Sequence, residues 1–256
     1  MATVASWNVN SLRVRMPHLA TWLGTTGPDV IGLQETKCVD EAFPREELGA
    51  LGYHCAMSGQ KTYNGVALLA REPLTDVVTD LPDLEDPQRR LLAATVAGVR
   101  YVNVYVPNGQ AVGSEKYEYK LRWLASLGRF LERELAAHPR LVVMGDFNIA
   151  PDDRDVHDPV LWKDQILCSV PEREALGRLL ELGLADSFRL HDQPEGLFSW
   201  WDYRAAGFRR NLGLRIDLLL ASREVAQAAE PGWIDLAPRR LERPSDHTPV
   251  FLRFED

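Results

Sequence analysis

Leu141-Val142-Val143-Met144-Gly145-Asp146-Phe147-Asn148 is the stretch from which the fold is read. An apolar run with the character of a buried β-strand ends abruptly in Gly, then Asp, with Asn two positions later. If the backbone stays extended there, Asp146 and Asn148 point to the same face. A carboxylate and a carboxamide side by side at the end of a rigid strand form a hard-oxygen site. Such a site can hold Mg²⁺, or a water and a phosphate.

Similar apolar runs recur outward along the chain: Thr3–Trp7, Val30–Leu33, Gly65–Leu69, Leu91–Val96, Val102–Val106, Ile216–Ala221 and Pro249–Phe254. Their length and β-branched content predict strands. Helical patterns lie between them. Ser114 is placed to cap a helix running to about Ala137, with Tyr117, Leu121, Leu124, Leu127, Leu131 and Leu135 on one face. Ser169-Val170-Pro171-Glu172 reads as a capping box whose helix stops at Gly183. A third helix is expected over Pro17 to Leu23, ending at Gly24. Many strands mixed with few, long helices predict a layered α/β fold. With no linker, repeat or low-complexity tract, residues 1–256 are read as one domain.

The chain has 256 residues, 45% hydrophobic and 26% charged, with a net charge of -8. That balance argues against a protein that coats nucleic acid nonspecifically. It leaves room for an enzyme with a local basic rim around an acidic metal centre. Three cysteines, Cys38, Cys55 and Cys168, show no Cys-x-x-Cys spacing. Neither a disulfide framework nor a zinc site is expected, and a reducing, cytoplasmic setting is the default. No signal peptide and no membrane-spanning stretch are read, so no membrane partner is expected.

Polar residues interrupt or end these runs. Asn8 follows Val4-Ala5-Ser6-Trp7, and Glu35 follows Val30-Ile31-Gly32-Leu33-Gln34. Tyr105 sits in Val102-Asn103-Val104-Tyr105-Val106, and Asp246-His247 precedes Thr248-Pro249-Val250-Phe251. Taken singly, Asp and Asn after a strand are turn formers, a lone His is a structural hydrogen-bonding group, and a lone Tyr is half-buried packing. Asp217 is harder to explain that way, because it is embedded in Leu214-Arg215-Ile216-Asp217-Leu218-Leu219-Leu220. A carboxylate inside an apolar run needs a partner, and His247 is the natural one. Such a pair fixes the imidazole tautomer and favours its charged form. Together, Glu35, Asp146 and Asp246 supply anionic oxygens, while Asn8 and Asn148 supply neutral ones. With no cysteine and one histidine in the group, Mg²⁺ or Mn²⁺ is favoured over Zn²⁺. The set meets the needs of phosphodiester hydrolysis: an activated water, charge neutralisation and help for the leaving oxygen.

At these residues the chain resembles the exonuclease III type of apurinic/apyrimidinic (AP) endonuclease, within the Mg²⁺-dependent phosphoesterases that include DNase I-like enzymes. The matching segments are Ser6-Trp7-Asn8-Val9-Asn10, Asp29 to Lys37, Tyr105-Val106-Pro107-Asn108-Gly109, Met144 to Asn148, Phe198 to Arg204, Gly213 to Asp217 and Pro244 to Val250. The Gly-Asp-x-Asn and Ser-Asp-His pieces mark the broad superfamily. Leu-Gln-Glu-Thr-Lys and Ser-Trp-Trp-Asp-Tyr-Arg are more specific to the DNA-repair branch. The resemblance implies a four-layer α/β/β/α sandwich of two packed mixed sheets flanked by helices, with the active site at one edge of the sheets.

It also implies roles. Asn8 and Glu35 fall where the family holds the metal, and Asp246 near it. Asp146 orients or deprotonates the attacking water, or serves the leaving group. Asn148 holds the water or stabilises the transition state. His247, oriented by Asp217, contacts the scissile phosphate, and all three of Asp146, Asn148 and His247 border the metal. Tyr105 and Asn108 contact the phosphate. Trp200 walls the pocket for the baseless sugar, with Leu214 opposite. Asn10 stands where some relatives carry Asp, which removes one secondary ligand. The implied activity is Mg²⁺-dependent incision of duplex DNA 5′ to abasic sites, with 3′-5′ exonuclease and 3′-end-trimming activity. The implied substrate is double-stranded DNA with abasic sites or blocked 3′ ends, bound by a monomer.

Lys37, Lys61, Arg89, Arg90, Lys116, Arg209, Arg210, Arg215 and Arg243 are candidate phosphate contacts. Arg209 and Arg210 stand out because they lie beside Phe208 in a loop between two site segments. Two other readings compete: a relative acting on RNA or another phosphoester, and a DNA-damage-binding protein with a decayed site. The Trp200 to Arg204 segment speaks against the first, and the intact set from Asn8 to His247 against the second.

Overall fold

The computed structural model describes residues 1–255. Its strands are β1 Ala2–Asn8, β2 Val30–Gln34, β3 His54–Ser58, β4 Val66–Ala70, β5 Thr75–Val78, β6 Leu91–Val96 and β7 Val99–Tyr105. They continue with β8 Leu141–Asp146, β9 Leu184–Asp186, β10 Trp200–Trp201, β11 Gly213–Leu214, β12 Asp217–Ser222, β13 Trp233–Ile234 and β14 Val250–Phe254. The helices are α1 Leu12–Thr26, α2 Arg45–Ala50, α3 Glu115–Ala137, α4 Pro159–Trp162, α5 Val170–Leu180 and α6 Arg223–Gln227.

Two six-stranded sheets form, ordered β13-β14-β1-β2-β4-β3 and β5-β6-β7-β8-β12-β9, beside a two-stranded ribbon of β10 and β11. Each large sheet is mixed. β1 pairs parallel with β2, and β7 parallel with β8, while their other neighbours run antiparallel. The alternation of strand side chains sorts the core into three slabs. Val4, Val30 and Leu68 from one sheet meet Leu92, Val142 and Met144 from the other. Ala5, Trp7, Ile31 and Leu33 turn outward onto Leu19, Trp22 and Leu23 of α1. Leu141, Val143, Val102 and Leu218 turn outward onto Trp123, Leu127 and Leu131 of α3 and Leu176 of α5. The result is the four-layer α/β/β/α sandwich. It explains the unbroken apolar run at 141–144, since both faces of β8 are covered.

The expected helix over Pro17 to Leu23 is longer than the sequence suggested. It starts at Leu12 and carries Pro17 inside, and Gly24 is helical. Gly27, at φ 51, takes the left-handed position that ends it and donates to the Leu23 carbonyl at 3.1 Å. α3 matches its expected span, with the Ser114 hydroxyl accepting from the Tyr117 N–H. At α5, the Glu172 carboxylate accepts from the Ser169 N–H at 3.1 Å, as a capping box requires. β3, β5 and β9 had no clear signal in the sequence, being short or mixed in polarity. No described helix is long and apolar enough to cross a membrane.

Candidate active site

The registers of the two sheets bring the polar strand ends together. Tyr105 and Asp217 both pair with Asp146 across β7, β8 and β12, so the three form one row at the sheet edge. In the other sheet Asn8 is level with Gln34, the residue before Glu35. Asn8 joins the two edges. Its fully buried Nδ2 donates to Glu35 Oε1 and to Asp146 Oδ2, both at 2.9 Å.

His247 lies against the same row. Its Nδ1 is 2.8 Å from Asp217 Oδ2 and its Nε2 is 3.6 Å from Asp146 Oδ2. Asp217 is positioned by Ser199, whose hydroxyl accepts the backbone N–H groups of Ile216 and Asp217 at 3.1 Å each. The Trp7 indole donates to the His247 carbonyl, and the Ser245 hydroxyl donates to the Asn8 carbonyl at 2.7 Å. These contacts fix the backbone of the segment that carries His247 against β1.

Asn148 reaches the site by a turn and not by strand alternation. The strand stops at Asp146, and Asn148 sits at φ 49, in the left-handed region. Its N–H donates to Asp146 Oδ1 at 2.9 Å, and its Nδ2 donates to the Val106 carbonyl at 3.0 Å. The expectation of an extended backbone is therefore corrected: it is the Asn148 backbone N–H that meets the Asp146 carboxylate, while the Asn148 amide turns to Val106 and Asn108. Asn108, exposed at the rim, donates to Asn148 Oδ1 at 3.1 Å.

Asp246 lies to one side. Its Oδ1 accepts from Asn10 Nδ2 at 2.9 Å and its Oδ2 from the Trp200 indole N–H at 3.0 Å. Lys37 bridges this group to Glu35, at 3.0 Å from Glu35 Oε2 and 2.6 Å from Asn10 Oδ1. The carboxylate and imidazole atoms of Glu35, Asp146 and His247 lie within 4.8 Å of one another, and Asp246 does not belong to that trio.

The electrostatics follow from this packing. Burial pushes Asp146 up to about 7, with Asp217 adding to the rise and His247 opposing it. Burial alone would lower His247, but Asp217 and then Asp146 outweigh it and raise the imidazole to about 10. Burial, reinforced by the charges of Glu35 and Asp146, lifts Tyr105 well above the ordinary tyrosine value, so it stays a neutral phenol. Arg90 stacks 4.7 Å over the Tyr105 ring and donates to its carbonyl. Four carboxylates (Glu35, Asp146, Asp217, Asp246) face one lysine and one imidazolium. This surplus of oxygen donors and negative charge, with no thiolate among the grouped donors, fits a hard divalent cation.

Other expected residues have mixed placements. Trp200 is half-buried and pairs directly with Leu214 across the β10–β11 ribbon. Leu214 is fully buried among Val156, Leu167 and Ile216. Its side chain packs into the core and has no exposed face, so the expectation that it walls the pocket opposite Trp200 is corrected. Arg215 is not a phosphate contact either. It is 1% exposed, with Nε 2.6 Å from Asp155 Oδ1 and Nη2 2.6 Å from Asp186 Oδ2. Arg209 and Arg210 are exposed, and Arg210 borders a cleft of about 700 Å³ with Val156, His157, Phe198 and Asn211. Arg15 was not singled out. It donates to the Asn10 carbonyl, the Pro244 carbonyl and the Tyr203 hydroxyl, tying three site segments together. On the polar face of α1, no sequence signal distinguishes it from a solvated arginine.

The fold and this pocket define a phosphoesterase of a known kind. A model described as the Endonuclease/Exonuclease/phosphatase family matches residues 5–247, and the chain belongs to that family. Within it the similarity narrows to DNA enzymes. Exodeoxyribonuclease III of Haemophilus influenzae (strain ATCC 51907 / DSM 11121 / KW20 / Rd) is 39% identical over 263 residues, covering 98% of each chain. A solved structure of the 3′ phosphatase NExo from Neisseria, bound to product DNA hairpin, superposes with a TM-score of 0.98 at 47% identity over 100% of both chains. An AP endonuclease from Archaeoglobus fulgidus superposes at 0.96 with 36% identity, again over 100% of both chains.

Proposed function

We propose that this protein is a Mg²⁺-dependent DNA-repair phosphodiesterase that incises duplex DNA 5′ to abasic sites and trims 3′ ends. The observation that carries the reading is Asn8 joining Glu35 and Asp146 beside the Asp217-backed His247. The kinship with exodeoxyribonuclease III, a 3′ phosphatase and an AP endonuclease supports DNA as substrate. The three cysteines are unpaired, which suits a cytoplasmic enzyme.

Glu35 and Asp146 are the residues that would hold the cation, with Asn8 fixing the two carboxylates and the charged His247 beside them left for the phosphate. When bound, Mg²⁺ (or Mn²⁺) supplies charge neutralisation at the phosphate and a more acidic water. The protein does the rest. The imidazolium of His247, kept charged by Asp217, presents Nε2 to a phosphate oxygen. Asp146 accepts a proton from the attacking water or assists the leaving oxygen. Tyr105 offers a phenol proton, and the Asn148–Asn108 pair holds donors beside the reacting phosphate. Trp200 flanks the site where a flipped, baseless sugar would sit. Such a sugar is already unpaired and costs less to extrude than a normal nucleotide.

A second balance of activities is favoured by the burial of Leu214, which leaves Trp200 without an open opposite wall. On that reading 3′-end processing dominates over incision. The test uses end-labelled duplexes carrying a tetrahydrofuran site, a 3′-phosphate or a recessed 3′ end, each with Mg²⁺ and with EDTA. Incision at the lesion that requires Mg²⁺ supports the first reading. Release of phosphate from 3′ ends without incision supports the second. No cleavage of any substrate, with DNA binding retained, would refute both and favour a damage-binding protein.

A further inference from the structure

Lys120 sits on α3 and is fully buried, as is its partner Glu172 on α5. An ammonium has three donors, and three acceptors surround this one: the Asn148 carbonyl at 2.6 Å, the Asn108 carbonyl at 3.2 Å and the Glu172 carboxylate. Burial lowers the Lys120 ammonium's pKa and the Glu172 carboxylate opposes that, while three donors matched to three acceptors suit the protonated form. Glu172 is itself saturated. It accepts from the Leu167 N–H at 3.1 Å, the Ser169 N–H at 3.1 Å and the Ser169 hydroxyl at 2.6 Å, and that hydroxyl is 2.7 Å from the Tyr117 phenol oxygen.

Both carbonyls held by Lys120 belong to residues whose side chains enter the site and are bonded to each other. The Asn148 backbone takes the left-handed conformation, which asparagine tolerates better than most residues, and its carbonyl is held by the Lys120 ammonium. A buried ion pair adds little net stability over well-packed apolar groups, so stability alone gives weak reason for one here.

We infer that Lys120 and Glu172 are positioning residues that aim the Asn108–Asn148 pair at the reacting phosphate through its backbone carbonyls. The inference rests on the phosphodiesterase reading above. Neither residue touches the substrate. Losing the hold lets the pair drift, and misplacement on the order of 1 Å can lower turnover by about 10²-fold.

The test is a double-mutant cycle on the full chain with a tetrahydrofuran duplex or a 3′-phosphate duplex, whichever the parent cleaves. Lys120→Met with Glu172→Leu also removes the α5 cap and leaves buried N–H and carbonyl groups unpaired, so its melting temperature should fall by several degrees and the kinetics are read well below it. The double variant should leave KM within about threefold and lower kcat by roughly 10–100-fold. In an Asn148→Ala background the same pair of substitutions should cost under about threefold, because it acts through Asn148. A full additional loss in that background, or parent-like kcat in the double variant, would overturn the proposal. Should the double variant not fold, Glu172→Gln, which keeps the shape and removes the charge, is read by the same criteria. If the parent cleaves neither duplex, the function reading fails separately. Hydrogen exchange at the Asn148 and Gln110 amides then decides: faster exchange in the variant, with β8 unchanged, supports the positioning role, and unchanged exchange overturns it. These amides report it because each donates to a carboxylate or carboxamide of the held segments.

Discussion

Replacing Asp217 with Asn tests the electrostatic core of the site with almost no change in shape. The Nδ1–Oδ2 separation is 2.8 Å, and both side chains are almost wholly buried. At an effective dielectric near 20, unit charges at that distance attract by about 6 kcal/mol. The rise of His247 from 6.5 to about 10 corresponds to roughly 5 kcal/mol, a net in which burial opposes and Asp217, then Asp146, favour the charged ring, so the Asp217 attraction has the size needed to lead it. Without the Asp217 charge the largest support for the charged ring is gone while burial still disfavours it; Asp146 remains beside Nε2, so the imidazole value falls from about 10, and Asn cannot enforce the same tautomer. Loss of the corresponding carboxylate in a triad drops turnover by about 10⁴, and we expect a fall of about 10²–10⁴ here.

The assay is single-turnover cleavage of a labelled duplex from pH 5 to 9, with the cleaved substrate chosen as above. The parent should keep an imidazolium throughout, whereas Asp217→Asn should lose activity toward the alkaline end of this range and recover it as pH falls. Stability gives an independent reading. A group with a raised folded-state pKa stabilises fully below its unfolded value and loses that contribution as pH climbs to its folded value. For His247 the window runs from 6.5 to about 10. In EDTA, the parent should lose more of its unfolding free energy than the variant between pH 6.5 and 10. Parent-like rates at pH 8, together with parallel stability curves, would refute the assignment of a charged His247.

Three further outcomes follow from particular contacts. Arg215→Met leaves Asp186 without its cation and Asp155 with Arg189 alone, and should cost about 3 kcal/mol in urea unfolding; a loss under about 1 kcal/mol would show that the network is not structural. Gly145→Ala places a Cβ 1.9 Å from the Val104 carbonyl oxygen at a φ of 151, so β7 and β8 must part. Circular dichroism melting should report a loss of roughly 3 kcal/mol or more. Arg209→Ala with Arg210→Ala should weaken duplex binding and flatten the dependence of log K on log salt by about one per lost phosphate contact; an unchanged slope would remove these arginines from the interface.

What the sequence made legible and what it hid divide along physical lines. The runs at 141–144 and 91–96 could be read because strands covered on both faces must be apolar throughout. Asp217 could be paired with His247 in advance because an isolated buried carboxylate is too costly to keep. Arg215 misled because a charged side chain next to a catalytic segment reads the same whether it faces phosphate or two buried aspartates. Lys120 was hidden among the polar positions of an amphipathic helix, since its role depends on carbonyls far away in the chain. The backbone of the site was hidden most completely. Asn10, Ser11, Glu35, Lys37 and Asn148 all take positive φ, although none is glycine. Local propensity disfavours these turns at Ser11, Glu35 and Lys37, where surrounding contacts keep them, while asparagine at 10 and 148 tolerates them. The Ser11 N–H donates to the Glu35 carbonyl at 2.8 Å, and the Lys37 N–H to the Asn64 carbonyl at 2.9 Å. Strain gathered at the edge where the polar side chains converge is what a preorganised site requires. It lets short turns aim carboxylates, amides and an imidazole into one pocket that extended strands alone would splay apart.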